Sequence, residues 1–278
     1  MAATVTASAT LPGADGGLIE TEAGPAFVRT IGSGPPVLVF HGGPGFSHDH
    51  LRPILSALAP RRRLIFFDQP GCGGTPAPPE GVTPEATYAQ ARAVLRQAAL
   101  GGRVGVIAHS WGVLVLAAAF AGARREDMPT LDEGLLINPV ALCRAEWDAA
   151  LAVLLSRGSA EAIGEFMTLV AAGEGARAMP VVLPLYTLRG YAVPVPPFGL
   201  NAATYTQVAG ALGDFDYSSG VSAFGRLTLL AGREDFTSID LIQPLAAACA
   251  QVVRPALGHF PFFEAPAEFA GVIGGLFR

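Results

Sequence analysis

The chain has no lysine: its 18 basic residues are all arginine, set against 23 acidic ones, for a formal net charge of -5 over 278 residues. A mildly acidic surface with no basic cluster beyond Arg61-Arg62-Arg63 excludes nucleic acid as the main partner. That triplet directly precedes an apolar segment and reads as a solvated strand entry. Cysteine is scarce, and the odd, widely spaced Cys72, Cys143 and Cys249 suit neither a disulfide framework nor a zinc site. A reducing cytoplasm is the expected compartment. Long apolar runs are missing too, because Arg, Asp, Gly or Pro interrupts each one, and so no membrane span is expected. Residues 1–17 lack the basic start and compact apolar centre of a signal peptide and are expected to form a loose tail. Charged residues make up only 15% and hydrophobic ones 51%, the balance of a globular chain with a large core.

Short apolar segments alternate with helical periodicity along most of the sequence. Leu18–Glu22, Ala26–Ile31, Val37–Phe40, Leu64–Phe67, Val104–Ile107, Leu135–Asn138, Leu227–Leu230 and Gln251–Arg254 read as eight strands. Helices are expected from Ser47 to Leu58, Ala86 to Leu100, Trp111 to Ala123, Ile239 to Ala248 and Pro266 to Phe277. Such alternation calls for an α/β fold, a mainly parallel sheet with helices on both faces. The rhythm breaks between Val140 and Gly225. There, Ala145–Leu155 and Ala160–Ala172 are helical without an intervening strand, and Pro180–Pro197 reads as irregular. Residues 140–225 are therefore expected to be an inserted helical cap, with 18–139 and 226–278 as the core.

Chemistry concentrates at the ends of the strands. In Ala108-His109-Ser110-Trp111-Gly112, a strand turns into an Ala-rich helix through a serine between small residues. A nucleophile elbow needs those small neighbours, since its serine sits in strained backbone and side chains two positions away would collide. A serine that merely caps the helix is the plainer alternative. A nucleophilic serine requires a base, itself oriented by an acid. His259 follows the last strand, and Glu234, Asp235 and Asp240 are the acids near the end of the strand before it. Parallel strands expose their C-terminal ends at one edge, so these loops meet the serine. His41-Gly42-Gly43-Pro44-Gly45 is a loop with unshielded N–H groups. Gly43 and Trp111 are the candidate backbone donors to an oxyanion, and His41 is expected to bond across its own loop. His48-Asp49-His50 suggests metal ligands at first sight, but positions i and i+2 on a helix point apart. No metal and no cofactor are expected.

The glycine loop with Ser47-His48-Asp49, Asp68-Gln69-Pro70-Gly71-Cys72-Gly73, Ser110-Trp111-Gly112, Gly232-Arg233-Glu234-Asp235 and Gly258-His259-Phe260-Pro261 together resemble the α/β-hydrolase superfamily. Within it they resemble the prolyl iminopeptidases and the tricorn-interacting aminopeptidases. The resemblance implies the α/β-hydrolase fold, with Ser110, Asp235 and His259 as the triad. Two departures stand out. Ala108-His109 replaces the frequent Gly-Gly and is closer to general esterases, and Glu146-Trp147 reverses a Trp-Glu motif of the cap. Glutamates that would hold a substrate amine are Glu146 and Glu165, with Glu161 and Glu174 as further candidates. The expected activity is that of a serine hydrolase forming an acyl-enzyme, foremost an aminopeptidase releasing an N-terminal residue, often proline, from small peptides or amides. An esterase or lactonase on small molecules is the alternative, and a ligand-binding receptor on the same fold a third reading.

Overall fold

The computed structural model describes residues 11–99, 102–188, 191 and 199–277. Eight strands form one sheet: β1 (Gly17–Thr21), β2 (Gly24–Ile31), β3 (Pro36–Phe40), β4 (Arg63–Phe67), β5 (Arg103–His109), β6 (Thr130–Ile137), β7 (Leu227–Leu230) and β8 (Gln251–Val253). Their spatial order is β1-β2-β4-β3-β5-β6-β7-β8. The hairpin partner β2 runs antiparallel to both β1 and β4, and every later pair is parallel. The central strands are apolar without alternation, as Val37–Phe40 and Val104–His109 are buried throughout. Strands covered on both faces need that pattern.

The helices are α1 (Arg52–Leu55), α2 (Pro84–Ala98), α3 (Trp111–Ala121), α4 (Arg144–Ser156), α5 (Ala160–Ala171), α6 (Gly175–Tyr186), α7 (Ala202–Ala211), α8 (Gln243–Ala248), α9 (Pro261–Glu264) and α10 (Pro266–Leu276). Thr83 caps α2, its hydroxyl accepting from Ala86 N–H at 3.1 Å, and Pro84 follows at the first helical position, where no N–H is needed. α3 is apolar all round, with ten consecutive buried residues from Trp111 to Phe120. That is the pattern of a helix enclosed in the core.

Between β6 and β7 the chain leaves the sheet for α4 to α7. Two expectations change here. The stretch from Pro180 to Tyr186 is helical, not irregular, because α6 continues through Pro180 and Pro184. Its buried face of Ala178, Met179, Val182, Leu183 and Leu185 outweighs the amide donors that proline removes. Residues 189, 190 and 192–197 of that stretch lie outside the described residues. α7, which the sequence pattern did not suggest, begins at an Asn201 cap whose side chain accepts from Thr204 N–H at 3.1 Å.

Other corrections are local. The strand expected at Leu135 starts at Thr130, where alternating burial blurs the apolar signal. Residues 11–17 are not loose: Leu11 packs on the core, and Gly13 C=O accepts from Thr30 N–H at 3.2 Å. Residues 1–10 lie outside the described residues. Arg62 is no solvated strand entry either. It is buried, with its Nε 2.8 Å from Glu133 Oε1 and its guanidinium over the Phe277 ring.

Gly112 lets α3 approach the sheet, since a Cβ there would lie 2.6 Å from His41 O and 2.7 Å from Phe40 O. Gly271, exposed on α10, meets nothing within 4 Å. Gly112→Ala is expected to destabilise the protein by at least about 2 kcal/mol, whereas Gly271→Ala is expected to stabilise it by up to about 1 kcal/mol. Urea unfolding of both variants checks this pair of opposite signs.

Candidate active site

Four loops converge at the C-terminal edge of the parallel strands. Ser110 follows β5, the Gly232–Asp235 turn follows β7, His259 follows β8, and the glycine loop follows β3. Ser110 adopts φ 55 and ψ -122, a left-handed conformation between strand and helix, at a cost of about 1–3 kcal/mol for a residue with a Cβ. Its N–H donates to Ile137 O at 2.9 Å and its C=O accepts from Val113 N–H at 2.9 Å. The strained turn is therefore held from both sides.

Ser110 Oγ lies 2.8 Å from His259 Nε2, and His259 Nδ1 lies 2.9 and 3.0 Å from the two oxygens of Asp235. A carboxylate only accepts, so the imidazole proton sits on Nδ1 and leaves Nε2 free to take the serine proton. Phe236 N–H donates to Asp235 Oδ1 at 2.6 Å, fixing the carboxylate. Of the three candidate acids, Glu234 and Asp240 are exposed, while Asp235 is buried. The His259 ring is wedged among Tyr186, Phe236, Phe260 and His109, with centroids 4.9–5.4 Å away.

The Asp-Gln loop ties the glycine loop to the elbow. Gln69 Nε2 donates to His41 O at 3.0 Å, and Gln69 Oε1 accepts from Trp111 Nε1 at 3.0 Å. His41 bonds across its own loop, as its sequence context suggests: Nδ1 donates to Gly42 O at 2.7 Å, and Nε2 accepts from Gln69 N–H at 3.0 Å. Gly43 and Trp111 both line the cavity at Ser110. Trp111 is the first residue of α3, where an N–H has no acceptor within its own helix.

Asn138 and Glu264 take part unannounced by any motif. Asn138 stands at φ 41 just past β6, fully buried. Its Oδ1 accepts from Gly232 N–H at 2.7 Å and its Nδ2 donates to Gly258 O at 2.6 Å. One side chain thus joins the acid loop to the histidine loop. A lone Asn closing the apolar run that starts at Leu135 was the available signal, but only the fold shows that it is buried and what it spans. Glu264 accepts three backbone N–H groups around His259.

The histidines other than His259 are engaged in hydrogen bonds within the protein. His48 Nδ1 lies 2.8 Å from Asp68 Oδ1, and His50 Nδ1 donates to Ser47 O at 2.7 Å. His109 Nε2 donates to His259 O at 3.0 Å. Among the described residues no three potential ligands are grouped to hold a metal ion.

A cavity of about 240 Å³ opens beside Ser110 under α4, α6 and α7. Its walls are largely apolar, from Trp111, Trp147, Leu154, Tyr205, Leu212 and Phe236, with Arg144 and Asp148 as the charged residues among the described lining. Those two are paired, Arg144 Nε lying 2.9 Å from both Asp148 oxygens. Glu146 and Glu165 do not line it. Glu165 is exposed on α5, and Glu146, in the first turn of α4, bonds to Cys143. A smaller cavity of about 40 Å³ adjoins, lined by His259, and Ser110, Tyr186 and Tyr205 line both.

This mainly parallel eight-stranded sheet, with a serine elbow facing an acid and a histidine from later strands, has the architecture of an α/β-hydrolase. The model of the alpha/beta hydrolase family matches residues 37–272: the chain belongs to that family and is a hydrolase. A proline iminopeptidase of Heyndrickxia coagulans is 40% identical over 88 residues, which cover 31% of this chain and 30% of that protein. The chain thus matches less than a third of that relative's length. Among solved structures, a proline iminopeptidase of Mycobacterium smegmatis superposes with a TM-score of 0.65 at 22% identity, over 94% of this chain and 97% of that one. An enol-lactonase of Burkholderia xenovorans LB400 does so at 0.70 and 18% identity, over 94% and 99%. At those identities the superpositions show the fold alone. No helix of the described residues is long and apolar enough to cross a membrane.

Burial sets a pH dependence for stability. It lowers the pKa of His50 from an ordinary 6.5 to about 3, and lowers His41 and His109 as well. Each is neutral when folded but protonates in the unfolded chain below its ordinary value. The contribution of His50 to stability is therefore present above pH 6.5 and is lost as the pH drops towards 3, by about 1.4 kcal/mol per pH unit, and His41 and His109 act in the same direction. Urea unfolding between pH 7 and 4 is expected to show that loss, and His50→Gln to flatten the slope by one proton. A variant as pH-sensitive as the parent would assign the effect elsewhere.

Proposed function

We propose that this hydrolase is a serine hydrolase working through an acyl-enzyme on small, uncharged esters, lactones or amides with an apolar acyl group. The observation that carries the reading is the setting of Ser110. It ends the hydrogen-bonded line from Asp235 through His259 and opens onto an apolar cavity whose one carboxylate among the described lining residues, Asp148, is engaged by Arg144.

In this reading Ser110 Oγ attacks the substrate carbonyl while His259 Nε2 takes its proton, and Asp235 keeps the imidazole in the correct tautomer and stabilises its cation. The carbonyl oxygen turns towards the N–H groups of Gly43 and Trp111, which stabilise the charge as it develops. His259 then protonates the leaving group. That group belongs on the histidine side, in the smaller cavity that His259 lines, and the acyl group belongs in the larger one. An apolar cavity of about 150 Å³ accommodates benzene, so about 240 Å³ suits an acyl group of phenylalkanoyl size. Water enters after the leaving group departs, and His259 activates it to release the acid.

A second reading, an aminopeptidase of the prolyl iminopeptidase type, draws on the 40% identity with the Heyndrickxia coagulans protein over 88 residues. It requires a carboxylate for the free amine. With Glu146 and Glu165 off the cavity wall, that task would fall to Asp148, already bonded to Arg144.

A small substrate panel separates the two. Nitrophenyl esters are expected to gain in kcat/KM from acetyl to phenylpropanoyl, and N-acylation of an amino-acid anilide is expected to leave its rate unchanged. Fast cleavage of a proline anilide that stops when its amine is blocked would establish the aminopeptidase reading instead.

A further inference from the structure

Glu264 lines neither cavity and takes no part in the steps above. Its carboxylate nevertheless gathers the backbone on both sides of His259. Oε2 accepts from Gly258 N–H at 2.7 Å, and Oε1 from Phe260 N–H at 3.0 Å. Two oxygens with four lone-pair positions can hold three donors. The third comes from Leu188, whose N–H lies 3.3 Å from Oε2. Leu188 lies two residues after Tyr186, the last residue of α6, which lines both cavities.

The fit is specific. A Cβ on Gly258 would sit 2.9 and 3.0 Å from the Glu264 oxygens and 2.8 Å from Tyr186 O. The rest of the loop is held from elsewhere: His259 N–H donates to Tyr186 O at 2.8 Å, His259 O accepts from His109 Nε2 at 3.0 Å, and Gly258 O accepts from Asn138 Nδ2 at 2.6 Å. The peptide planes flanking His259 fix where its imidazole points, and Glu264 orients the N–H groups of both neighbours. Burial raises the pKa of its carboxyl, outweighing the three backbone N–H groups, which lower it.

We propose that Glu264 is a positioning residue that aligns His259 with Ser110 jointly with the cap, through Leu188, so that filling the cavity under the cap is felt at the catalytic imidazole. The proposal rests on Ser110 and His259 acting as nucleophile and base. Tyr186 supplies the other half of the link. It lines both cavities, its C=O holds His259 N–H, and its ring lies 5.4 Å from the imidazole. An acyl group that packs on Tyr186 steadies the same segment that Leu188 ties to Glu264. Part of its binding energy then appears in kcat, not only in KM.

The test compares the parent, Glu264→Ala and Glu264→Gln on the nitrophenyl ester series, with thermal melting to confirm that each is folded at the assay temperature. In the parent, kcat is expected to rise with acyl length. Glu264→Ala is expected to lower kcat by about a hundredfold on the longest ester, and to abolish the rise in kcat while KM still falls along the series. Glu264→Gln keeps one oxygen for Gly258 and Leu188 and loses the bond to Phe260. It is expected to recover about tenfold of that loss and to show a shallower rise than the parent. Should the alanine variant not fold, the glutamine variant carries the test alone. A parental kcat and slope in Glu264→Gln, or a uniform kcat loss along the series in Glu264→Ala, would overturn the proposal. A parent whose turnover survives Ser110→Ala would instead strike at the nucleophile itself.

Discussion

The 2.8 Å contact between Ser110 Oγ and His259 Nε2 joins residues 149 positions apart, and most of the fold is arranged so that it can form. A flexible chain would not hold two groups that distant in sequence at hydrogen-bond distance, because ordering so many residues costs far more than one hydrogen bond returns. The parallel sheet removes the problem. Its central strands are buried and, but for Thr228, apolar over Val37–Phe40, Val106–Ala108, Leu135–Ile137 and Leu227–Leu230, which pair with one another, so burial of the core fixes the relative positions of the loops at their ends. The contact at the serine then follows at little further cost.

Rigid strands alone do not orient side chains to a few tenths of an ångström, and a second layer of polar contacts does that work. Gln69 joins the glycine loop to Trp111, Asn138 joins the acid loop to the histidine loop, and Glu264 gathers the backbone around His259. Ser110 and, within this network, Asn138 carry positive φ despite having side chains. Strain of that kind persists only where the surroundings over-determine the backbone. At both positions they do, through Ile137 and Val113 at the serine, and through Leu230, Gly232 and Gly258 at the asparagine.

Much of this was legible in the sequence, for physical reasons that differ by residue. The apolar runs at Val37–Phe40 and Leu227–Leu230 announce buried strands because both faces of such strands are covered. The turn at Ser110 is legible because Gly112 cannot be larger where α3 meets β3. Asp235 and Glu234 could not be told apart by position, since both follow β7. Burial separates them, and burial is a property of the folded chain. The helical region after β6 was the least legible. Pro180 and Pro184 argue locally against the helix that tertiary packing imposes, and Glu146 and Glu165 carry the right chemistry but do not line the cavity. Helical spacing places a residue on a face, but not that face against a cavity.

The central claim is that Ser110 is the nucleophile and carries a covalent intermediate. It is tested most directly by incubating the protein with a fluorophosphonate and locating the added mass by peptide mapping. The account expects one adduct per chain, on Ser110, formed far more slowly in His259→Ala, and no adduct in Ser110→Ala. An adduct on another residue, or undiminished labelling of Ser110→Ala, would contradict it.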